Sequence, residues 1–410
     1  MTITHQFIVS GSVPQAFQPA SRRQIRRLGA RGIVRAVSAM AVAGMVALLA
    51  GCATEPAPKE VRLAWPEAPE VARIEFVRTI VDDKDLTKDT TGSQTLFRFL
   101  AGDTASKFRI VEPMGLAVSD DGHRLYISDF AQFAVFVFDF DKKTALKIDG
   151  GDKDSLGAPM GVALDADENI YVAETGKRNV RVFDRTGKSL RSITDPSLER
   201  PLGLAIDIPR GKLYVADTGR AESPEHSVKI FDLQGKLLGR IGKQIGDVPG
   251  SFLFPTYVNV DAKGNLYVGD TLNSRVQMFD PDGKFVQAFG KRGNAFGMFD
   301  KPKGVATDSF GNVYVADSGW SNVQIFNEKG GILMFFGGRG TAPGLMQNPS
   351  VLTIDKQNRI YVGDVLNHRV NVYRLVNTTA EDSMVKVTEA AKAAEAAKTA
   401  EAAKAAPAKK

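Results

Sequence analysis

"GNVYVADSGWSNVQIFN", residues 311–327, opens on the turn pair Gly311-Asn312 and runs through an apolar alternation to Asp317. A small polar loop follows, and a second alternation ends at Phe326. A period of two is the signature of a half-buried strand, so the stretch reads as two antiparallel strands joined by a short loop.

The chain writes nearly the same phrase six times. Each copy has a proline before its first strand (Pro113, Pro159, Pro201, Pro255, Pro302, Pro349), at intervals of 42 to 54 residues. Twelve or thirteen residues on stands a tyrosine (Tyr126, Tyr171, Tyr214, Tyr267, Tyr314, Tyr361), and three further an acid: Asp129, Glu174, Asp217, Asp270, Asp317, Asp364. An aromatic comes twelve residues after five of the tyrosines (Phe138, Phe183, Phe279, Phe326, Tyr373), whereas in the third repeat the gap to Phe231 is seventeen, a five-residue insertion. Turns such as "DADEN", "DAKGN" and "DSFGN", then "DRTGK", "DLQGK" and "DPDGK", supply the positive φ that tight reversals need. Each repeat thus predicts four antiparallel strands, and units of this length stack radially around a channel as propeller blades.

The sixth repeat lacks a fourth strand, since "RLVNTTAED" follows Tyr373. The isolated alternation "RIEFVRTI" (Arg73 to Ile80) supplies it, so the two ends of the chain are expected to close the ring and remove a sheet edge. The organisation expected is a signal peptide over 1–51, a tether over 52–72, an all-β six-bladed propeller over 73–376, and an Ala/Lys/Glu-rich tail over 377–410 that is helical or unstructured. "TLFRFLAG" (95–102) reads as a short helix.

The pattern P-x-G…D-x-x-G-N-x-Y-V-x-D…R-V-x-x-F-D resembles NHL repeats, which form six-bladed propellers. Tyr257 and Val351 depart from it where Gly is usual after the Pro, and Glu174 replaces Asp. "AWPEAPEVARIEFV" is similar to the start of bacterial propeller lipoproteins. "LLAGC", ending at Cys52, resembles their lipobox: six arginines and no acid precede it, an uncharged run spans Ala36 to Gly51, and Cys52 is the only cysteine. The resemblance implies a lipidated Cys52, and Ala53 after it implies outer-membrane sorting. "SRRQIRRL" partly resembles a twin-arginine export signal. Without the leader, 53 − 6 = 47 basic residues balance 47 acidic ones, so the net +6 argues for no nucleic-acid partner.

Fold does not choose function. Four histidines (His5, His123, His226, His368) are too few and too scattered for a zinc lyase, and the last three are expected on surface loops. A lactonase-like Ca²⁺ enzyme is the alternative implied by resemblance, but an acid recurring in all six repeats reads as a structural ring whose carboxylates accept N–H groups of the following loop, often with the nearby Arg or Asn as partner ("DTLNSR", "DVLNHR"). No catalytic residue, metal or cofactor is assigned. Symmetry is broken instead by loops bearing Lys177, Arg178, Arg220, His226, Arg275, Trp320 and Arg369, the candidate binding face. The expectation is a monomeric, lipid-anchored envelope module that binds a protein or extracellular ligand there.

Overall fold

Every repeat but the first, where Ser119 stands, makes its first turn on an aspartate. In the second, fourth, fifth and sixth, one carboxylate oxygen of Asp165, Asp261, Asp308 or Asp355 accepts the N–H groups two and four residues on, at 2.8–3.0 Å. The other oxygen accepts the hydroxyl of the repeat's tyrosine six residues on, at 3.1–3.3 Å. The turn therefore fixes the second strand and gives a buried phenol its partner. The six tyrosines are among the largest fully buried side chains.

The computed structural model describes residues 63–87, 106, 108–151, 154–220, 223, 225–242 and 244–379. The leader, Cys52, the tether before residue 63, the short helix at 95–102 and the tail beyond 379 lie outside them. Strands β1 (Ala64–Trp65) and β2 (Ile74–Ile80) come first, then blade 1 with β3 (Pro113–Val118), β4 (Arg124–Asp129), β5 (Ala134–Asp139) and β6 (Thr144–Ile148). Blade 2 has β7 (Pro159–Leu164), β8 (Ile170–Glu174), β9 (Asn179–Phe183) and β10 (Ser189–Thr194); blade 3 has β11 (Pro201–Asp207), β12 (Lys212–Asp217), β13 (Ser227–Asp232) and β14 (Leu237–Ile241). Blade 4 has β15 (Pro255–Val260), β16 (Leu266–Asp270), β17 (Arg275–Phe279) and β18 (Phe285–Phe289); blade 5 has β19 (Pro302–Thr307), β20 (Val313–Asp317), β21 (Asn322–Phe326) and β22 (Ile332–Gly337). Blade 6 has β23 (Pro349–Ile354), β24 (Arg359–Asp364) and β25 (Arg369–Leu375). The first strand of each blade touches the first strands of both neighbours, and β23 touches β3, so six inner strands form a closed ring.

Closure comes from the other end of the chain, as expected. β2 pairs antiparallel with β25 (Ile74 opposite Leu375, Ile80 opposite Val370), and Arg374 holds Glu75 at 2.6 Å. The sheet order is β1-β2-β25-β24-β23. The expected tether is corrected here: from Leu63 it belongs to the fold, because Ala64 and Trp65 add a fifth strand and the Trp65 ring packs 6.1 Å from Phe336 and 5.9 Å from Tyr373.

Glycine after the proline lets inner strands approach closely. A Cβ at Gly161 would lie 2.4 Å from the Leu202 carbonyl oxygen. At the equivalent position of blade 4, Tyr257 reaches across the channel to blade 1 and donates its hydroxyl to the Met114 carbonyl at 2.6 Å. Burial pushes that phenol well above its ordinary range.

Candidate functional site

Each blade proline pairs with its acid, so the loops after the six acids share one end of the ring with the connections into the prolines. We call this the loop face. The turns after the inner strands form the opposite, hairpin face.

The acids are buried on the loop face and each carboxylate accepts at least one backbone N–H, although Glu174 Oε2 is buried without a hydrogen-bond partner. Asp129 accepts from the N–H groups of Val111 (2.6 Å) and Glu112 (3.1 Å), Glu174 from Gly157 (2.8 Å), and Asp217 from Glu199 (3.0 Å) and Arg200 (2.8 Å). Asp270 accepts from Leu253 (2.7 Å), Asp317 from Asp300 (2.8 Å) and Lys301 (3.0 Å), and Asp364 from Gln347 (2.9 Å) and Asn348 (3.1 Å). The chief donors thus lie 16 to 18 residues before the acid, in the connection arriving from the previous blade. This modifies the expectation of bonds from the following loop, which Asp129, Asp217 and Asp317 add. The six carboxylates clamp blade to blade, and as a donor set they do not fit the channel Ca²⁺ site that the lactonase resemblance implies. Among the described residues no group of three or more His, Cys, Asp or Glu is placed to hold a metal.

The candidate binding residues divide into two sets. Arg275 and Arg369 are mostly buried and belong to the clamp: Arg275 pairs with Asp270 at 2.8 Å and donates to the Asp247, Val248 and Ser251 carbonyls, and Arg369 does the same with Asp364 at 3.4 Å and the Thr341, Ala342 and Leu345 carbonyls. His226 is 6% exposed, which corrects both its surface-loop placement and its inclusion on a binding face. Its Nδ1 accepts the Phe254 N–H at 2.9 Å, and burial holds its pKa below the usual 6.5. His123 and His368 are exposed, the first beside Asp141 on the hairpin face and the second against the Val111 carbonyl.

Lys177, Arg178, Arg220 and Trp320 remain at the surface of the loop face. Lys177 is engaged by Asp154 at 2.6 Å, while Arg178 has no side-chain partner among the described residues. The Trp320 indole N–H donates to the Gly293 carbonyl at 3.0 Å, which fixes the ring against the neighbouring connection. Sequence reasoning missed Phe130, Phe133, Leu272 and Leu366, which join Trp320 as exposed apolar side chains in the loops of blades 1, 4, 5 and 6. Their signal was present: "DFAQF", "DTL" and "DVL" carry large apolar residues where blades 2 and 3 have Thr-Gly.

The channel is the other concavity. A cavity of about 250 Å³ is lined by the inner strands, by Tyr257, and by Asp120, Asp165 and Glu168 from the hairpin-face turns.

Comparison with known proteins agrees with this architecture. The family model described as the SMP-30/gluconolactonase/LRE-like region matches residues 78–201. The brain tumor protein of Drosophila melanogaster is 28% identical over 137 residues, 32% of this chain and 12% of that protein. Mouse NHL-repeat-containing protein 4 is 34% identical over 83 residues, 20% of this chain and 56% of that protein. Less than two thirds of either relative is therefore spanned. Among solved structures, a gluconolactonase of Xanthomonas campestris superposes with a TM-score of 0.50 at 20% identity, covering 65% of this chain and 86% of its own. A Bacteroides thetaiotaomicron protein of unknown function gives 0.52 at 15%, covering 67% and 71%. The chain is a six-bladed β-propeller built of NHL-type repeats.

Proposed function

We propose that this propeller is a lipid-anchored binding or scaffold module of the bacterial cell envelope that recognises a protein or ligand through its loop face. One observation carries the reading: the acids that recur in every repeat are engaged in the blade clamps, whereas the loop face presents large apolar side chains and free cations on a rigid frame. Cys52 is the proposed lipid attachment point, with Ala53 directing the protein to the outer membrane, and the propeller works there as a monomer.

The test combines crosslinking in intact cells with capture through the tagged full chain. Replacing Arg178, Arg220 and Trp320 together by Ala is expected to leave the fold intact and weaken capture at least tenfold, about 1.4 kcal/mol or more. If capture survives, and is abolished by changes at His123 and Lys188 on the hairpin face, the proposed face is wrong. Cys52→Ala is expected to accumulate as unprocessed precursor; normal processing of that variant removes the anchor from the proposal.

A Ca²⁺-dependent hydrolase or lyase of lactonase type is the second reading, favoured by the description of the family matched over residues 78–201. Stoichiometric Ca²⁺ retained after purification, together with lactone hydrolysis, would replace the first reading with this one.

A further inference from the structure

The residues that follow the six blade prolines stand in one register at the loop-face end of the inner strands: Met114, Met160, Leu202, Thr256, Lys303 and Ser350. Five are uncharged. Lys303 is mostly buried, and its ammonium donates to the Ser350 hydroxyl at 3.3 Å. No carboxylate pairs with it among the described residues, where the other buried cations, Arg181, Lys229 and Arg369, each hold an acid. Burial, with Lys301 nearby, pushes the Lys303 ammonium below its ordinary range, so the site is short of one negative charge.

Around this mouth lies an apolar arc. Leu272, Trp320, Leu366 and the pair Phe130 and Phe133 occupy the loops of blades 4, 5, 6 and 1, which are consecutive around the ring. None projects freely, with exposures of 37% to 57%. Phe130 and Phe133 stack on each other at 6.5 Å, and the Trp320 N–H is already spent on Gly293. Side chains that insert into a bilayer stand clear of the backbone, and interfacial tryptophans keep their N–H for the headgroup layer. A floor of half-buried, fixed rings suits a protein partner, because little side-chain entropy remains to be lost on docking.

We infer that the loop face receives a protein segment that lays apolar side chains on this arc and places a carboxylate over the channel mouth, where Lys303 is its counter-ion. The inference rests on the loop face being the recognition face and adds the chemistry of what it recognises. Thr256 and Ser350, beside Lys303, are buried with their hydroxyls engaged by Thr271, the Lys303 carbonyl and Asn348, so the ammonium is the group left for the carboxylate.

A phage-displayed library of random seven-residue peptides, selected on the detergent-solubilised full chain, tests it. Enriched peptides are expected to combine apolar residues with at least one acid or a free C-terminal carboxylate. They should bind Lys303→Gln at least tenfold more weakly, retain most of their affinity for Lys303→Arg, and weaken at least tenfold on Phe133→Ser with Leu366→Ser. Replacing the peptide's carboxylate by its amide should cost the wild type tenfold and Lys303→Gln almost nothing, a coupling that simple misfolding of the variant would not produce. Peptides that need Phe133 and Leu366 but ignore both Lys303→Gln and amidation overturn the counter-ion inference and leave the recognition face standing. Enrichment of nothing, or only of peptides indifferent to every loop-face change, overturns both. So does co-sedimentation with phosphatidylglycerol vesicles that Phe133→Ser with Leu366→Ser abolishes, since the arc would then be a lipid surface.

Discussion

His226 shows how one buried ring ties stability to pH. Its Nδ1 accepts an N–H, so it must be unprotonated there, and its folded pKa lies below the unfolded value of about 6.5. In acid the unfolded chain takes up the proton first. The stability this histidine contributes is therefore present above pH 6.5 and is lost as the pH falls through its folded pKa. Melting temperature is expected to drop as the pH falls below about 6.5, by a few degrees for a loss of about 1 kcal/mol. His226→Asn, whose amide oxygen can take the Phe254 N–H, should flatten that step; an unchanged slope would mean that another group is responsible. The clamp makes a second residue-scale claim. Asp317 accepts four backbone N–H groups, from Asp300, Lys301, Gly319 and Trp320, and Asp317→Ala leaves them all without it. A loss of about 3 kcal/mol or more in urea unfolding is expected, as for other buried charged hydrogen bonds, and a loss below about 1 kcal/mol would contradict the clamp.

At the scale of elements, the fourth strand of blade 6 is a separate piece of chain held by the register of β2 on β25 and by Trp65 against Phe336 and Tyr373. Deleting residues 63–81 exposes the edge of β25 and removes those contacts. The whole ring should melt at lower temperature in one transition, whereas a deletion ending at residue 62 should change little; equal melting temperatures for the two would show that β2 is dispensable. Most of this level was legible before any coordinates. Proline, tyrosine and acid at fixed offsets mark the end, middle and far end of two paired strands, and the missing alternation after Tyr373 pointed to its replacement. The connections between blades were not legible, because their geometry is set by carboxylates 16 to 18 residues downstream, beyond the reach of a local pattern. In the sequence Arg275 and Arg369 stand both as binding-face cations and as partners of the acids in "DTLNSR" and "DVLNHR", and the second reading holds; what those stretches do not tell is that each guanidinium also reaches carbonyls of the preceding connection. Tyr257 was visible as a departure from Gly, but the direction of its side chain, across the channel to Met114, depends on the diameter of the closed ring.

At the scale of the molecule, the blades make one ring only when first and last meet, and that joins the fold to the timing of synthesis. Thr79 and its partner Asn371 are 292 residues apart. At about 5 to 20 residues per second, β2 leaves the ribosome roughly 15 to 60 s before the strand it belongs to exists. Through that interval it is an unpaired alternating strand beside five blades that already have all four of theirs. At high expression, the β25 edge of one chain is as near to the waiting strand of another as to its own, and a reciprocal exchange satisfies both. Strong overproduction is therefore expected to yield a dimer that survives dilution and lacks any new interface, and cysteines engineered at the Phe76 and Tyr373 positions should join its two chains covalently, because the exchanged strand makes the same pair between chains. A dimer whose crosslinks all lie within single chains would have to come from another surface. A ring that ends where it began gains a complete last blade, and in exchange the strand that completes it must wait for the end of the chain.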